Sequence, residues 1–549
     1  MLKSLLRRTV LGTWYASRIL LLLAIVLMVG GVAFLRFSIL PGIERYHGDI
    51  ELAASVAIGR PLTIARIEAN WEGLRPSLLL SGVSIRDDQG RVALELPSMR
   101  NTVAWSSLLF GELRFHSLQL DNPQLSIRRD PAGRLYVGGI ESDPQSSVVS
   151  DASAADWLLH QTQIVVREGR IVWQDEMRGA PPIALKQIEL TIDNLFDHHR
   201  FTLRATPPPE LAAPVEAHGD LYGDSFAAGD SWRGELFARI RQTDVAAGRT
   251  WLDFPFSLQQ GRGDVQLSLR LVQGAISQAD AEVDLRTVQA QLGAELPELV
   301  LRELKGRLGW RQLRNGFEIS AGDFSLRMQD GFVLPRTNFL LNLNAKSGYR
   351  SASGEARADT LNLADVGRLL DYLPLAVEVK QRIADLGLQG RVRNLRASWQ
   401  GDTGKLLRYR LQAQFEKIAM RQVGRLPGFS GLSGSVDGND SDGVLSLDSR
   451  DSKVQAPGFL AEPLQFDRLS GQLDWQHNPR RGWDFKLNDI RVANADLAGT
   501  IFGAYQFADG PGIADLTVNL KRVAVRHAAR YIPQHAFGDA TYRWLQTGL

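Results

Sequence analysis

Few side chains in this sequence stand at spacings that do covalent chemistry. His198 and His199 form the one histidine pair, but adjacent strand residues point to opposite faces, so two such rings share a metal only in a loop. A hairpin turn is the plainer expectation for Asp197-His-His-Arg200. The stretch Asp437-Gly-Asn439-Asp-Ser441-Asp442-Gly443 looks faintly like a calcium loop. Its glycine comes one place late, and Asp448 stands where the closing glutamate belongs, so a polar hairpin is expected. Ser430 and Ser433, in Gly428-Phe-Ser-Gly-Leu-Ser-Gly434, miss the spacing of a nucleophile elbow and read as a glycine-rich turn. Arg262-Gly263-Asp264 reads as a turn before a strand, and Asp87-Asp88 as a turn carboxylate pair. The chain has no cysteine, which excludes disulfides, thiolate metal sites and a cysteine nucleophile. No phosphate-binding loop or dinucleotide fingerprint occurs. The chemistry on offer is therefore apolar contact rather than catalysis. No enzyme activity, metal or cofactor is expected.

The elements that present those apolar side chains are strands. In Val265-Gln-Leu267-Ser-Leu269-Arg-Leu271 the odd positions are apolar and the even ones polar. Ile188 to Ile192, Leu411 to Phe415 and Leu516-Thr-Val518-Asn-Leu520 repeat the pattern. Strict alternation gives a strand one wet and one dry face. Turn signals such as Asp87 to Gly90, Asp130 to Gly133, Arg314 to Gly316 and Asp437-Gly438 separate the runs. Pro207 to Pro209 reads as a connector and 141–151 as a polar loop. On alternation alone the dry face is either the core of a closed sandwich or the lining of an open apolar groove.

Ile19 to Leu35 is an unbroken apolar run preceded by Lys3, Arg7, Arg8 and Arg18. At ~1.5 Å per residue it spans roughly 25 Å. The basic flank places the N-terminus in the cytoplasm and the rest of the chain on the far side of one membrane. The run is longer than the apolar part of a cleaved signal. Pro41, Ile43, Tyr46, Ile50 and Ala54 predict a short packing helix after it, stopped at Gly59 and Pro61. The net charge of +2, from 63 basic and 61 acidic residues, shows no basic excess, so no nucleic-acid partner is expected. Apolar residues make up 44% and charged ones 23%, the balance of a folded chain.

Two internal repeats stand out. Leu304-Lys-Gly306-Arg-Leu308-Gly-Trp310 recurs as Leu469-Ser-Gly471-Gln-Leu473-Asp-Trp475. Leu361 to Pro374 recurs as Leu520 to Pro533, each copy a strand running into a short helix that ends at Tyr-x-Pro (Tyr372, Tyr531). The sequence stops where the next strand is due, which reads as a truncated, N-terminal piece of a longer chain.

Several stretches resemble the YhdP branch of the AsmA-like, bridge-like lipid transfer proteins. These are Glu51 to Ile64, Ala69-Asn-Trp71-Glu-Gly-Leu-Arg-Pro76 to Ile85, and Leu120 to Tyr136, with the Tyr-x-Pro and Leu-x-Gly-x-Leu-x-Trp units. The resemblance implies a mainly β fold: a transmembrane helix, then a long, repetitive antiparallel β groove, taco-like, with a few short helices. It divides the chain into an anchor at 1–38, an N-terminal AsmA-like β region at 39–145, and groove repeats at 146–360 and 361–549. It implies an inner-membrane protein whose bulk is periplasmic and whose partners are phospholipids, the inner membrane through residues 19–35, and outer-membrane components. The implied task is moving glycerophospholipid toward the outer membrane. The alternative is a scaffold for outer-membrane assembly with a closed core. The candidate lining is Val265, Leu267, Leu269, Leu271, Leu285, Leu411, Phe415, Leu516, Val518 and Leu520.

Overall fold

The computed structural model describes the chain except for residues 1–13, 15–17, 20, 21, 24, 25, 27, 28, 59, 60, 87–91, 108–112, 139, 143–155, 227, 252–255, 347–350, 403, 404, 425, 457–461, 479–481, 508–511 and 532–549. The Asp87-Asp88 pair and most of the polar 141–151 loop lie outside the described residues. So does much of the expected anchor. Its described residues are helical, and Ile19, Leu22, Val26, Val29 and Phe34 are exposed. Among the described residues no helix is long and apolar enough to cross a membrane. The helix expected after it is present. A 3-10 turn over Leu40–Tyr46 leads into His47–Ile58, and Ile43 and Ile50 pack on the first apolar cluster.

The chain divides into two compact units. Unit 1 comprises Met1–Thr243, Thr250–Leu252 and Leu267–Ile276. It opens with antiparallel strands Arg66–Glu72, Arg75–Arg86, Val92–Val103 and Phe115–Asp121. Their dry face buries Ile64, Ile67, Leu80, Val83, Ile85 and Leu96. The strand Gln163–Asp175 then departs from the all-antiparallel expectation. It runs parallel to Phe115–Asp121 and to Gln124–Arg129, with Leu118 opposite Ile164 and Leu125 opposite Ile171. A long connection makes this reversal of sense feasible, as a tight hairpin cannot. Antiparallel order resumes through Ile183–Leu195, His198–Thr206, Val215–Tyr222 and Arg233–Asp244.

Unit 2 holds the rest of the chain. From Ala275–Gln291 through Leu299–Leu313, Gly316–Met328, Val333–Asn344 and Ser353–Asn362, each strand pairs antiparallel with the next. Two helices, Leu363–Leu370 and Val377–Leu386, interrupt the meander at the first Tyr-x-Pro repeat. The Asn362 side chain accepts from the Ala364 N–H and caps the first helix. Strands Gln389–Asp402, Lys405–Met420, Gly428–Asn439, Asp442–Gln455, Leu464–Asn478, Gly482–Ala493, Leu497–Phe507 and Ile513–Val523 continue in order. The second repeat copy is again strand then helical turn, Ile513–Val523 into Val525–Tyr531. Tyr372 and Tyr531 each pack on an apolar cluster beside their own strands.

Several local expectations are corrected. Gly428 to Gly434 is strand, not turn. Arg262-Gly263-Asp264 lies inside the strand Ser257–Val272, where Arg262 pairs with Asp244. His198 and His199 open a strand rather than sit in the turn, and Phe196 takes the left-handed turn position. They face opposite ways. His199 is buried between Asn194 Oδ1 and the Gly223 carbonyl, each 2.8 Å away, while His198 lies 2.8 Å from Asp220. Asp437-Gly438 is also strand; the chain reverses at Asp440-Ser441, where Ser441 donates to Asn439 Oδ1. Asp130 to Gly133 is a turn as expected, its carboxylate accepting from the Ala132 and Arg134 N–H groups.

Candidate functional site: a two-faced sheet with an apolar ladder

The register of unit 2 places apolar residues opposite one another across consecutive strands. Val283 and Leu285 face Gly306 and Leu304; Leu308 and Trp310 face Ala321 and Ile319. The row continues through Phe339 and Leu341 to Ala358 and Ala356, then Leu395 and Ala397, then Leu411. Beyond Leu411 it runs Gly438, Gly443, Trp475, Phe485, Tyr505, with Val436, Leu445, Leu473, Leu487, Gly503 and Leu516 alongside. Period two puts all of these on one face.

In strand after strand that ladder survives a break in the alternation. Asp323, Lys417 and Asp489 hold φ of 51°, 48° and 51° in mid-strand, and the register shifts beside each. These are β-bulges, which insert one residue and bend the strand. Apolar positions are odd before the bulge (Phe317, Ile319, Ala321) and even after it (Phe324, Leu326, Met328), yet share a face. The repeated Leu-x-Gly-x-Leu-x-Trp units supply the glycine opposite. A Cβ on Gly471 would lie 2.7 Å from the Asp489 carbonyl oxygen and 2.7 Å from Ile490 Cα; one on Gly306 would lie 2.7 Å from Phe324 Cα. Only glycine lets the bulged backbone approach so closely.

The bulges separate two kinds of apolar surface. To one side lies a dry core of Leu285, Val288, Ala290, Leu301, Leu326, Met328, Phe332 and Leu334, sealed by Leu369 and Tyr372 after the first repeat helix. To the other side Leu308, Trp310, Leu341, Leu343, Trp399 and Leu411 are only half-buried. The Trp399 ring fills the space over Gly354, and the Trp475 ring that over Gly438 and Gly443. This leaves a partly exposed aromatic and aliphatic surface.

The opposite face is charged. Lys305 pairs with Asp284 at 3.4 Å, Arg307 with Asp323 at 2.8 Å, Arg393 with Glu416 at 2.9 Å and Arg410 with Asp437 at 3.2 Å. Such exposed pairs contribute at most about 1 kcal/mol each and chiefly keep the face wet. A depression of about 1090 Å³ lies on this side, with a mixed lining in which Asp437, Asp474, Lys486 and Asp515 stand beside Val444 and Phe502. Among the described residues no three His, Asp or Glu side chains are grouped to hold a metal ion.

The sequence-derived candidates distribute unevenly over this geometry. Leu411 is half-buried on the ladder. Leu285 and Phe415 share its face but are 8% and 6% exposed, and so support it from the packed interior. Leu516, Val518 and Leu520 are on the same face and exposed, at 43%, 49% and 52%. Val265 packs against the unit 2 core. In unit 1, Arg270 donates to Glu235 at 2.6 Å on the charged side. Leu269 and Leu271 therefore fall on the other side, with Leu267 in phase, all half-buried. Unit 1 carries its own ladder of Ile164, Ile192, Phe201, Gly219 and Leu236. The sequence reading missed Trp310, Leu341, Trp399 and Trp475. The phase slips of the alternation, once recognised as bulges, would have put them in line.

Comparison with known proteins bears on this geometry. The profile of the family described as YhdP protein matches residues 4–549. The chain is 20% identical over 519 residues to the intermembrane phospholipid transporter YhdP of Escherichia coli (strain K12), covering 91% of this chain and 39% of that relative. It thus spans about two fifths of the relative's length. No solved structure matches. With a profile match reaching from residue 4 to the last residue, this chain belongs to the YhdP family.

Proposed function

We propose that this chain is a passive, non-catalytic phospholipid carrier of the bacterial envelope. Residues 19–35 anchor it in the inner membrane with the N-terminus cytoplasmic. The β units lie in the periplasm and conduct lipid toward the outer membrane, acyl chains on the apolar face and head groups in water. The relative's description as an intermembrane phospholipid transporter supports this reading. The observation that carries it is the apolar ladder of unit 2, half-buried at Leu308, Trp310, Leu341, Trp399 and Leu411. Water charges ~0.8 kcal/mol per exposed CH₂, of order 20–25 kcal/mol for the roughly 30 in a diacyl lipid. A continuous apolar face removes most of that barrier without a nucleotide.

Bound lipid tests the proposal. The full chain, extracted in mild detergent, is analysed by native mass spectrometry. Phospholipid is expected on the parent and on Gln412→Glu, and strongly reduced on Leu341→Glu and Leu411→Glu. A folded parent that carries no lipid, or glutamate variants that carry as much as the parent, would favour a scaffold with a closed core.

A further inference from the structure

The hairpin nearest the anchor ends in a residue unsuited to water. Strands Arg66–Glu72 and Arg75–Arg86 are joined by Gly73-Leu74, with Glu72 opposite Arg75. Tight turns usually carry glycine, asparagine or aspartate. Here the tip presents Leu74, 77% exposed. The hairpin is held firmly below that tip. Ile67 and Leu80, paired across it, are buried, and Thr102 donates to Glu72 at 2.6 Å.

A second observation says what lies beside the tip. The apolar run ends at Leu35, and the next residue, Arg36, stacks its guanidinium on the Trp71 ring with Cζ 5.3 Å from the centroid. Trp71 lies three positions before Leu74 on the same hairpin. The tip is thus tied to the level at which the apolar helix ends. Phe37, also 77% exposed, stands at that level too. Tryptophan, arginine and exposed aliphatic side chains are the residues found where a bilayer meets water.

We propose that the Gly73-Leu74 tip is a second membrane contact. Leu74 enters the acyl boundary of the leaflet from which residue 35 emerges, and Arg36 and Arg75 face the lipid phosphates. The contact rests on the anchor reading above and adds to it, since it holds the first strands against the bilayer surface instead of leaving them on a swivel. The occupant is the phospholipid bilayer itself, because the chain's own apolar run leads into it.

The absence of cysteine makes the test direct. Single cysteines replace Leu74, Phe34 or Ala132, the last in the exposed Asp130 turn. Each full-length variant is labelled with an environment-sensitive fluorophore and reconstituted in phospholipid vesicles. Lipids carrying a nitroxide high on the acyl chain are the quencher. Loss of most of the emission from Leu74→Cys and Phe34→Cys, with Ala132→Cys unaffected, is expected. Quenching at Phe34→Cys without quenching at Leu74→Cys overturns the contact and leaves the anchor standing. Quenching at Ala132→Cys equal to that at Leu74→Cys overturns it as well. No quenching at Phe34→Cys or Leu74→Cys overturns the anchor and the contact together.

Discussion

Asp175 is fully buried at the end of its strand, where Arg129 grips both carboxylate oxygens and the Arg178 N–H donates at 3.2 Å. The Arg129 hydrogen bonds hold its carboxyl below the usual carboxylate range, against the opposing effect of burial. A carboxyl lowered on folding contributes stability that is complete above its unfolded value, near pH 4. That contribution is lost as pH falls from there through the folded value. Asp175→Asn should therefore cost about 1.5–3 kcal/mol at neutral pH, the net worth of a hydrogen bond between charged groups when Arg129 is itself partly exposed. The gap in urea midpoint between parent and variant should close as pH drops below about 4. A gap independent of pH would mean that shape, not charge, matters here. Nothing in the sequence pairs Arg129 with Asp175. They meet because the strand Gln163–Asp175 runs parallel to Gln124–Arg129, a sense that alternation cannot express.

At the level of the element, the recurring device is a bulge facing a glycine. Gly471, at φ 139°, lies against the bulge at Asp489. Gly471→Ala puts a methyl 2.7 Å from backbone atoms on the next strand, so about 1–3 kcal/mol of stability should be lost. Asp489→Gly should be neutral or slightly stabilising, since glycine holds a left-handed φ without strain. Chemical denaturation of the two variants decides this. A neutral Gly471→Ala would show that the bulge is free to relax. Strand existence was legible from period two, and Gly306 and Gly471 were legible as repeat positions. Their purpose was not, because it lies in the phase slip from Ala321 to Phe324 and from Leu487 to Ile490. The same slips misled the reading of Gly428 to Gly434 as a turn: alternation interrupted by glycines looks like a strand's end, when Gly431 instead faces the bulge at Asp451.

For the whole molecule, the question is whether the half-buried ladder meets water or lipid. The sequence showed that one face would be apolar. It could not show that the bulges divide that face into a packed half and a half-open one, which is why Leu285 and Phe415 were grouped with Leu269 and Leu411. The proposed transport requires the half-open part to touch acyl chains in the cell. Site-specific photocrosslinking reads that contact at single residues. A photoreactive residue replaces Leu269 or Leu411, with Ser268 and Gln412, the next residues on the charged face, as controls. Phospholipid adducts are expected at both leucine positions and none at the controls. Folded protein that captures no lipid at the leucines, or equal amounts at all four positions, would contradict it.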